Sequence, residues 1–362
     1  MRTFFRSIMI LLNIIAAVAL ILACICSFVN PKAIWWIGFF GLAYIYLLAI
    51  NVCFLIFWIF SHKKKMLLIS LIPILIGWSF IGKNVQLFEK IIPEEDMDRS
   101  IKLISFNVQG LKQMDMKQPD GNMLNIFDFF RERDADIICI QEIFNHRWDK
   151  KKNMESIHHR LNNTPFSHIK LIDNQFGVAT FSKYPIIHEE VVYIDNSTNI
   201  CICSDLLIKT DTIRVYNIHL KSIGFQKEET NWLNNVVKRE YDSTDLRTAK
   251  SILRQIRTAS SERVVQVEIL SSHIEQSPYP VIICGDFNDP PTSYSYRKVR
   301  GNRKDAFVEA GFGRSTTYNI GRIASLRIDN ILYSDIFKAY NYESPRVYLS
   351  DHFPVMCRLV KR

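Results

Sequence analysis

Apolar residues are unevenly spread along this chain. Three long runs crowd into its first quarter: Ile8 to Val29, Ile34 to Phe60 and Met66 to Ile81. A bilayer core takes roughly 20 helical residues at about 1.5 Å each, so the first two runs are long enough to cross. The third is shorter and contains Pro73, and it reaches membrane length only by extending to Phe88, with Lys83 and Gln86 snorkelling to the interface. The pattern predicts a membrane region over residues 1–92 with transmembrane helices at 8–29, 34–60 and 66–88. The first run up to Ile21-Leu22-Ala23-Cys24 also loosely fits a lipoprotein signal, although Leu22 suits that reading poorly.

A polar linker, residues 93–100, separates these runs from a different pattern. From Ile101 onward short apolar stretches alternate with helix-spaced ones. Strands are expected at Ile101 to Phe106, Ala135 to Glu142, Gly177 to Ser182, Val281 to Asp286, Ile328 to Tyr333 and Val355 to Val360, with a hairpin from Leu206 to Leu220. Leu124, Phe127 and Phe130 give Asn122 to Arg133 helical spacing, and Ile223 to about Gln276 reads as mostly helical. The expectation is one α/β domain with mixed sheets over residues 101–362.

The net charge of +9 on 362 residues first suggests a nucleic-acid partner. Its location changes that reading. Up to Ile92 there are eight basic residues and one acidic one, whereas beyond it 37 basic residues face 35 acidic ones. Most of the excess therefore flanks the apolar runs, where Lys and Arg favour the cytoplasmic side. Arg2 and Arg6 precede the first run, only Lys32 follows it, and Lys63, Lys64 and Lys65 follow the second. A multi-pass protein of the cell (inner) membrane results, and if the third run crosses, everything after it is extracytoplasmic. The cysteines form no CxxC pair, and five of the eight (Cys139, Cys201, Cys203, Cys284 and Cys357) sit in strand-like segments, as small core residues do.

Candidate chemistry gathers where strands end. Asn107, Glu142, His219, Asp286 with Asn288, and Asp351 with His352 each follow an apolar stretch. Any one of them could be a loop cap. Together, oxygen donors with few His and no Cys suit Mg²⁺ or Mn²⁺ rather than Zn²⁺. Phosphate ester cleavage needs such an ion, a base for water and donors for the developing charge.

Five stretches in order, Leu103-Ile-Ser-Phe-Asn-Val-Gln-Gly-Leu111, Asp136-Ile-Ile-Cys-Ile-Gln-Glu142, Gly285-Asp-Phe-Asn288, Arg327-Ile-Asp-Asn-Ile-Leu332 and Ser350-Asp-His-Phe-Pro-Val355, resemble the motifs of the endonuclease/exonuclease/phosphatase superfamily. The resemblance implies a DNase I-like four-layer sandwich of two mixed β-sheets flanked by helices. It makes Glu142 the principal metal carboxylate beside Asn107, with Asp351 at a second metal position. His352, oriented by Asp329, becomes the base or the residue that stabilises the attacked phosphate. Asp286 and Asn288 hold the water or the phosphate, and His219 matches the branch that places a His on the phosphate. Gln109 stands where several repair members carry an acid, which argues against a metal role there.

Other features read as structural. Arg247, Lys250, Arg254 and Arg257 fit a solvated helix face, and the adjacent His158 and His159 point apart on a helix. The cluster from Arg297 to Lys304 suits either an exposed face or a substrate-facing loop. The sequence thus predicts a membrane-anchored, Mg²⁺- or Mn²⁺-dependent phosphoesterase with no obligate protein partner. Its substrate would be a lipid headgroup, a small phosphodiester or nucleic acid; an inactive membrane-anchored binding module is the competing class.

Overall fold

The computed structural model describes residues 2–119, 121–146, 149, 152–194, 200–224, 229, 232, 245–320 and 324–362. In chain order the strands of its large sheets are β1 (Ser100–Asn107), β2 (Ile137–Phe144), β3 (Phe166–Ile172), β4 (Phe176–Ser182), β5 (Ile186–Val192), β6 (Cys201–Ile208), β7 (Asp211–His219), β8 (Val281–Asp286), β9 (Lys304–Asp305), β10 (Asp329–Tyr333), β11 (Phe337–Glu343) and β12 (Val355–Lys361). They form two six-stranded sheets, ordered β11-β12-β1-β2-β4-β3 and β9-β10-β8-β7-β6-β5. Each is mixed, with one parallel pair at its centre: β1 with β2, and β7 with β8.

The near-continuous apolar strands are explained by burial on both faces. Ile101 and Leu103 of β1, Ile137 and Cys139 of β2 and Ile282 and Cys284 of β8 point between the sheets into one core. The alternate residues Ile104, Phe106, Ile138 and Ile140 face outward against Phe127 and Phe130 of the helix Ile126–Arg133 and Ile157 of the helix Met154–Arg160. On the opposite outer face Tyr216, Ile218 and Ile283 meet Val264, Val267 and Leu270 of the long helix Asp245–Glu275. Period-2 alternation between two apolar environments builds four layers: helix, sheet, sheet, helix.

Two soluble-domain expectations change. The helix expected from Asn122 starts at Ile126, because Asn125 caps it, its side chain accepting from Phe127 N, while Met123–Asn125 pairs with Asp115–Lys117 in a small hairpin. The helix expected from Ile223 is seen as Asp245–Glu275; the positions from 225 to 244 other than Glu229 and Trp232 lie outside the described residues.

The apolar runs also depart from three straight helices. The first is a helix over Arg2–Ile25, and within it Phe4–Ile25 is long and apolar enough to cross a membrane on its own. The second breaks at Ala43 into Trp35–Leu42 and Tyr44–Ile59, bent by 59°, and the third breaks at Gly77 into Lys64–Ile76 and Trp78–Asn84, bent by 63°. Tyr44 Oη donates to Gly77 O across 3.1 Å, so one break is hydrogen-bonded by a residue beside the other. The three segments pack through Leu20, Ala23, Tyr44, Ile74 and Phe80, and polar residues bridge them as in membrane bundles: Asn51 Nδ2 donates to Ala16 O (2.9 Å) and Ser70 Oγ to Asn13 Oδ1 (2.7 Å). The third segment does not continue to Phe88. Gln86 instead pairs its backbone with Gly313, with N to O distances of 2.9 and 2.7 Å.

The feature that positions the site is a break in one ladder. β2 pairs regularly with β4 up to Ile140 and resumes at Ile143. In that bulge Glu142 adopts φ 52°, a left-handed backbone that costs a non-glycine residue about 1 kcal/mol or more. Beside the break, Asn217 of β7 reaches across from the other sheet and donates to the carbonyls of Ile140 (3.2 Å) and Ala179 (2.9 Å). Gln141 Nε2 answers by donating to Asn217 Oδ1 at 2.7 Å. Both amides are fully buried. This exchange ties the two sheets together directly beneath the bulge.

Candidate active site

The parallel pairs decide where polar side chains can converge. The carboxyl ends of β1 and β2 share one edge of their sheet, and those of β7 and β8 share an edge of the other; such strand ends are where open α/β sheets bind ligands. Asn107 ends β1, His219 ends β7 and Asp286 ends β8. Asp286 is in register with His219 on one side and Asp329 on the other, so these three side chains form a row across three strands. Gly285 makes the row possible. Its φ is +143°, and a Cβ there would stand 2.0 Å from Ile218 O, so a larger residue would push β8 away from β7.

Across the gap between the sheets the amide of Asn107 meets this row. Its Nδ2 donates to Glu142 Oε1 at 3.1 Å and to Asp286 Oδ2 at 3.0 Å. His352 lies over the row, its Nδ1 2.9 Å from Asp329 Oδ2 and its Nε2 3.7 Å from Asp286 Oδ2. His219 Nε2 is 3.5 Å from Glu142 Oε1 and 3.9 Å from Asp286 Oδ2. Asn288 fixes Asp286, its backbone N donating to Oδ1 (2.8 Å) and its Nδ2 to Oδ2 (3.2 Å). Asp351 stands beside His352, accepts from Gln109 Nε2 (2.7 Å), and shares with Glu142 and His352 the wall of a cavity of about 520 Å³.

The electrostatics follow from burial. Asp286, Asp329, His219 and His352 are almost fully buried, and removal from water disfavours charge. Burial lifts the Asp286 carboxyl above the usual carboxylate range, against the opposing pull of His352. Burial also pushes His219 down, against the pull of Glu142. For His352 burial opposes charging too, but the Asp329 and Asp286 carboxylates outweigh it and push the pKa up to about 10. His352 and Asp329 thus form an ion-paired dyad, and the remaining carboxylates crowd beside it.

That crowding suits a divalent cation. Glu142 and Asp286 aim oxygens at one and the same donor group, an arrangement a cation would also satisfy, and all the nearby donors are hard oxygens apart from imidazoles. Asp286, Asp329 and His352 bring ligand-type atoms within 4.8 Å of one another. His352 and Asp329 already spend their facing atoms on each other, which leaves the Glu142 side, open to the cavity, as the better place for an ion. Asp329 Oδ1 accepts no hydrogen bond although buried.

A family model described as the Endonuclease/Exonuclease/phosphatase family matches residues 104–352. The chain belongs to this family. Endonuclease/exonuclease/phosphatase proteins are phosphoesterase hydrolases and typically depend on a metal. A model for a domain of unknown function matches residues 6–84. No curated protein matches. Among solved structures, TDP2 from C. elegans aligns with a TM-score of 0.50 at 17% identity, covering 82% of this chain and 84% of that one. A D. rerio TDP2 humanized by 14 mutations gives 0.50 at 13%, covering 72% and 99%. An endonuclease/exonuclease/phosphatase protein from Beutenbergia cavernae gives 0.49 at 14%, covering 73% and 72%. The likeness is one of fold, and the two-sheet sandwich is the DNase I-like one.

All eight site residues expected from the sequence of this family member fall at one place: Asn107, Glu142, His219, Asp286, Asn288, Asp329, Asp351 and His352. The cluster from Arg297 to Lys304 does not line the cavity. Arg297 lies 4.4 Å over the Phe28 ring of the N-terminal apolar region, and Arg303 is buried. Arg247, Lys250, Arg254 and Arg257 are exposed on the long helix, as a solvated face requires. Three residues escaped the sequence reading. Tyr318 lays its ring 4.8 Å from the His352 ring, and Thr317 Oγ1 accepts from the backbone N of Ile328 and Asp329. Neither belongs to a recognisable motif. Asn217 could have been found, since a polar amide inside an apolar strand needs a buried partner.

If Asp329 is what charges His352, then in metal-free Asp329→Asn the imidazole should titrate lower, toward the ordinary histidine range, as followed by NMR of the ring nitrogens. Turnover should fall by about 100-fold or more. A His352 titration that does not move would separate the two residues.

Proposed function

We propose that this chain is a divalent-metal-dependent phosphoesterase that hydrolyses a phosphodiester or phosphomonoester by in-line attack of water, held by three apolar segments at the extracytoplasmic face of a membrane. The observation that carries the chemistry is the convergence of Glu142 and Asp286 on the Asn107 amide at 3.1 and 3.0 Å, with the His352–Asp329 dyad 3.7 Å from the same Asp286 oxygen. Glu142 and Asn107, with Asp351 nearby, would hold Mg²⁺ or Mn²⁺, which when bound offsets charge on the phosphoryl oxygens.

The chain's own groups divide the remaining work. Asp286, dry and oriented by Asn288, accepts the proton of the attacking water; a carboxylate whose pKa is raised by burial is a better base at neutral pH. His352, kept cationic by Asp329, donates through Nε2 to the phosphoryl oxygen, where negative charge develops. His219, less prone to charge, hydrogen-bonds the phosphate from the other side. Asp329 acts through His352 and is a positioning residue.

Nucleic acid is the other substrate reading. It finds little support, because Arg263, the basic residue among the described ones that line the cavity, is paired 3.3 Å from Asp289, and a nuclease gains from unneutralised charge along a groove.

Full-length protein in detergent should hydrolyse bis-p-nitrophenyl phosphate with Mg²⁺ or Mn²⁺ and lose that activity to a chelator, and His352→Ala should lower turnover by about 1000-fold. No divalent-dependent hydrolysis across a panel of phosphomonoesters and phosphodiesters would defeat the reading. For orientation, alkaline phosphatase fused after Arg362 should be active in cells. An inactive fusion alongside a fluorescent green fluorescent protein fusion would put the domain in the cytoplasm.

A further inference from the structure

The cavity over the site has a wall that the chemistry does not use. Besides Glu142, Asp351 and His352, its lining includes Trp35, Phe39 and Leu42 of the N-terminal apolar region and Ile252 and Ile256 of the long helix. Trp35 and Phe39 meet edge to face with ring centroids 5.8 Å apart on the short helix Trp35–Leu42 that precedes the bend in the second apolar run. The bend is anchored to the loop that follows Asp286 and Asn288. Thr292 Oγ1 donates to Gly41 O at 2.9 Å, Cys26 Sγ donates to Thr292 O at 3.0 Å, and a Cβ on Gly41 would come within 2.5 Å of the same sulfur. The membrane region therefore completes the pocket.

A phosphate alone would leave this wall facing water, which is unfavourable for an apolar surface. The volume, about 520 Å³, lies in the range that encloses a small-molecule ligand. Phe28, Ile34 and Trp36, in or just before the helix Trp35–Leu42, are 60%, 38% and 47% exposed, so the apolar lining is neighboured by surface that suits lipid. An alkyl chain gives up little on moving from lipid into such a pocket, since both are hydrocarbon-like.

We propose that this cavity takes the hydrocarbon chain of an amphiphilic phosphate ester, with the phosphate at the Glu142 and His352 end and the chain between the helices Trp35–Leu42 and Asp245–Glu275. The assignment rests on the phosphoesterase reading for its polar end and on the apolar walls for its chain. Gly38 offers a way to test it. It lines the cavity, has right-handed helical angles (φ −58°, ψ −27°), and a Cβ there would meet nothing within 4 Å, so a larger side chain can start from this position without a backbone clash.

The experiment is photolabelling of the full-length chain in lipid nanodiscs with hexadecyl phosphate bearing a diazirine at its chain end, followed by peptide mapping. The label should fall on residues 35–42 and 252–256. Unlabelled hexadecyl phosphate should compete, whereas methyl phosphate and hexadecanol, each carrying one half of the ligand, should need at least about tenfold more, as expected when two linked contacts act together. Gly38→Leu should remove most of the labelling, and Ile256→Gln should weaken it independently. Label confined to the helix Arg2–Ile25, equal competition by hexadecanol, or wild-type labelling in both variants would overturn the inference. Labelling needs no turnover, so a chain that labels in the cavity yet hydrolyses no phosphoester would defeat the phosphoesterase reading alone. A chain that hydrolyses bis-p-nitrophenyl phosphate but labels elsewhere would defeat only the chain site.

Discussion

The break in the β2 ladder at Glu142, with Asn217 reaching into it from the opposite sheet, is the constraint on which the rest of the site depends. A regular ladder would alternate Gln141 and Glu142 between the two faces of the sheet and leave the carboxylate to an outer layer. The bulge re-aims Glu142 along the strand toward the edge of the sheet, as bulges near active sites do. It also leaves backbone to be hydrogen-bonded in a dry interior, and Asn217 and Gln141 do this by bonding to each other and to the neighbouring strands. Two sheets that meet largely through apolar contacts acquire a directional link here, next to the place where Asn107, Glu142 and Asp286 come together.

The charge at that place is the second consequence. Four carboxylates and two imidazoles lie within one small region, mostly out of water, and buried charge is tolerated only when paired. The His352–Asp329 pair settles part of the imbalance internally. Asp286 is held by three N–H donors from Asn107 and Asn288, which suits its anionic form even as burial disfavours it. Glu142 faces the cavity and has no cationic partner of the same strength among the described residues. The uncompensated negative charge on the Glu142 side is what the proposed divalent ion, with a phosphate beside it, would neutralise.

Much of this was legible in the sequence because the chemistry sits at strand ends, where Asn107, Glu142, His219 and Asp286 interrupt apolar runs. The central strands β1, β2, β8 and β10 were legible for the same reason. β3, β5 and β11 were not: His168, Lys170, His188, Glu189, Glu190, Lys338 and Asn341 dilute their apolar content, because outer strands are partly exposed and carry no continuous signal. The bends at Ala43 and Gly77 escaped a hydropathy reading, which counts apolar residues without sensing direction. The bulge escaped as well. Nothing in Ile140-Gln-Glu-Ile143 states that the pairing slips, although the pairing of Gln141 with Asn217 is its trace once the two strands are known to face each other.

The N-terminal apolar region and the α/β domain meet through Cys26, Gly41 and Lys83 on one side and Thr292 and Arg327 on the other, so the apolar segments bear directly on the domain that carries the site. The central claim, that a crowded carboxylate set assembled at the bulge is a divalent-cation site, is tested most directly by titrating Mn²⁺ into the metal-free full-length chain and following free ion by electron paramagnetic resonance. The account predicts saturable binding that weakens by about tenfold or more in Glu142→Gln, a change that removes charge while keeping shape. Equal Mn²⁺ affinity in the wild-type chain and in Glu142→Gln would contradict it.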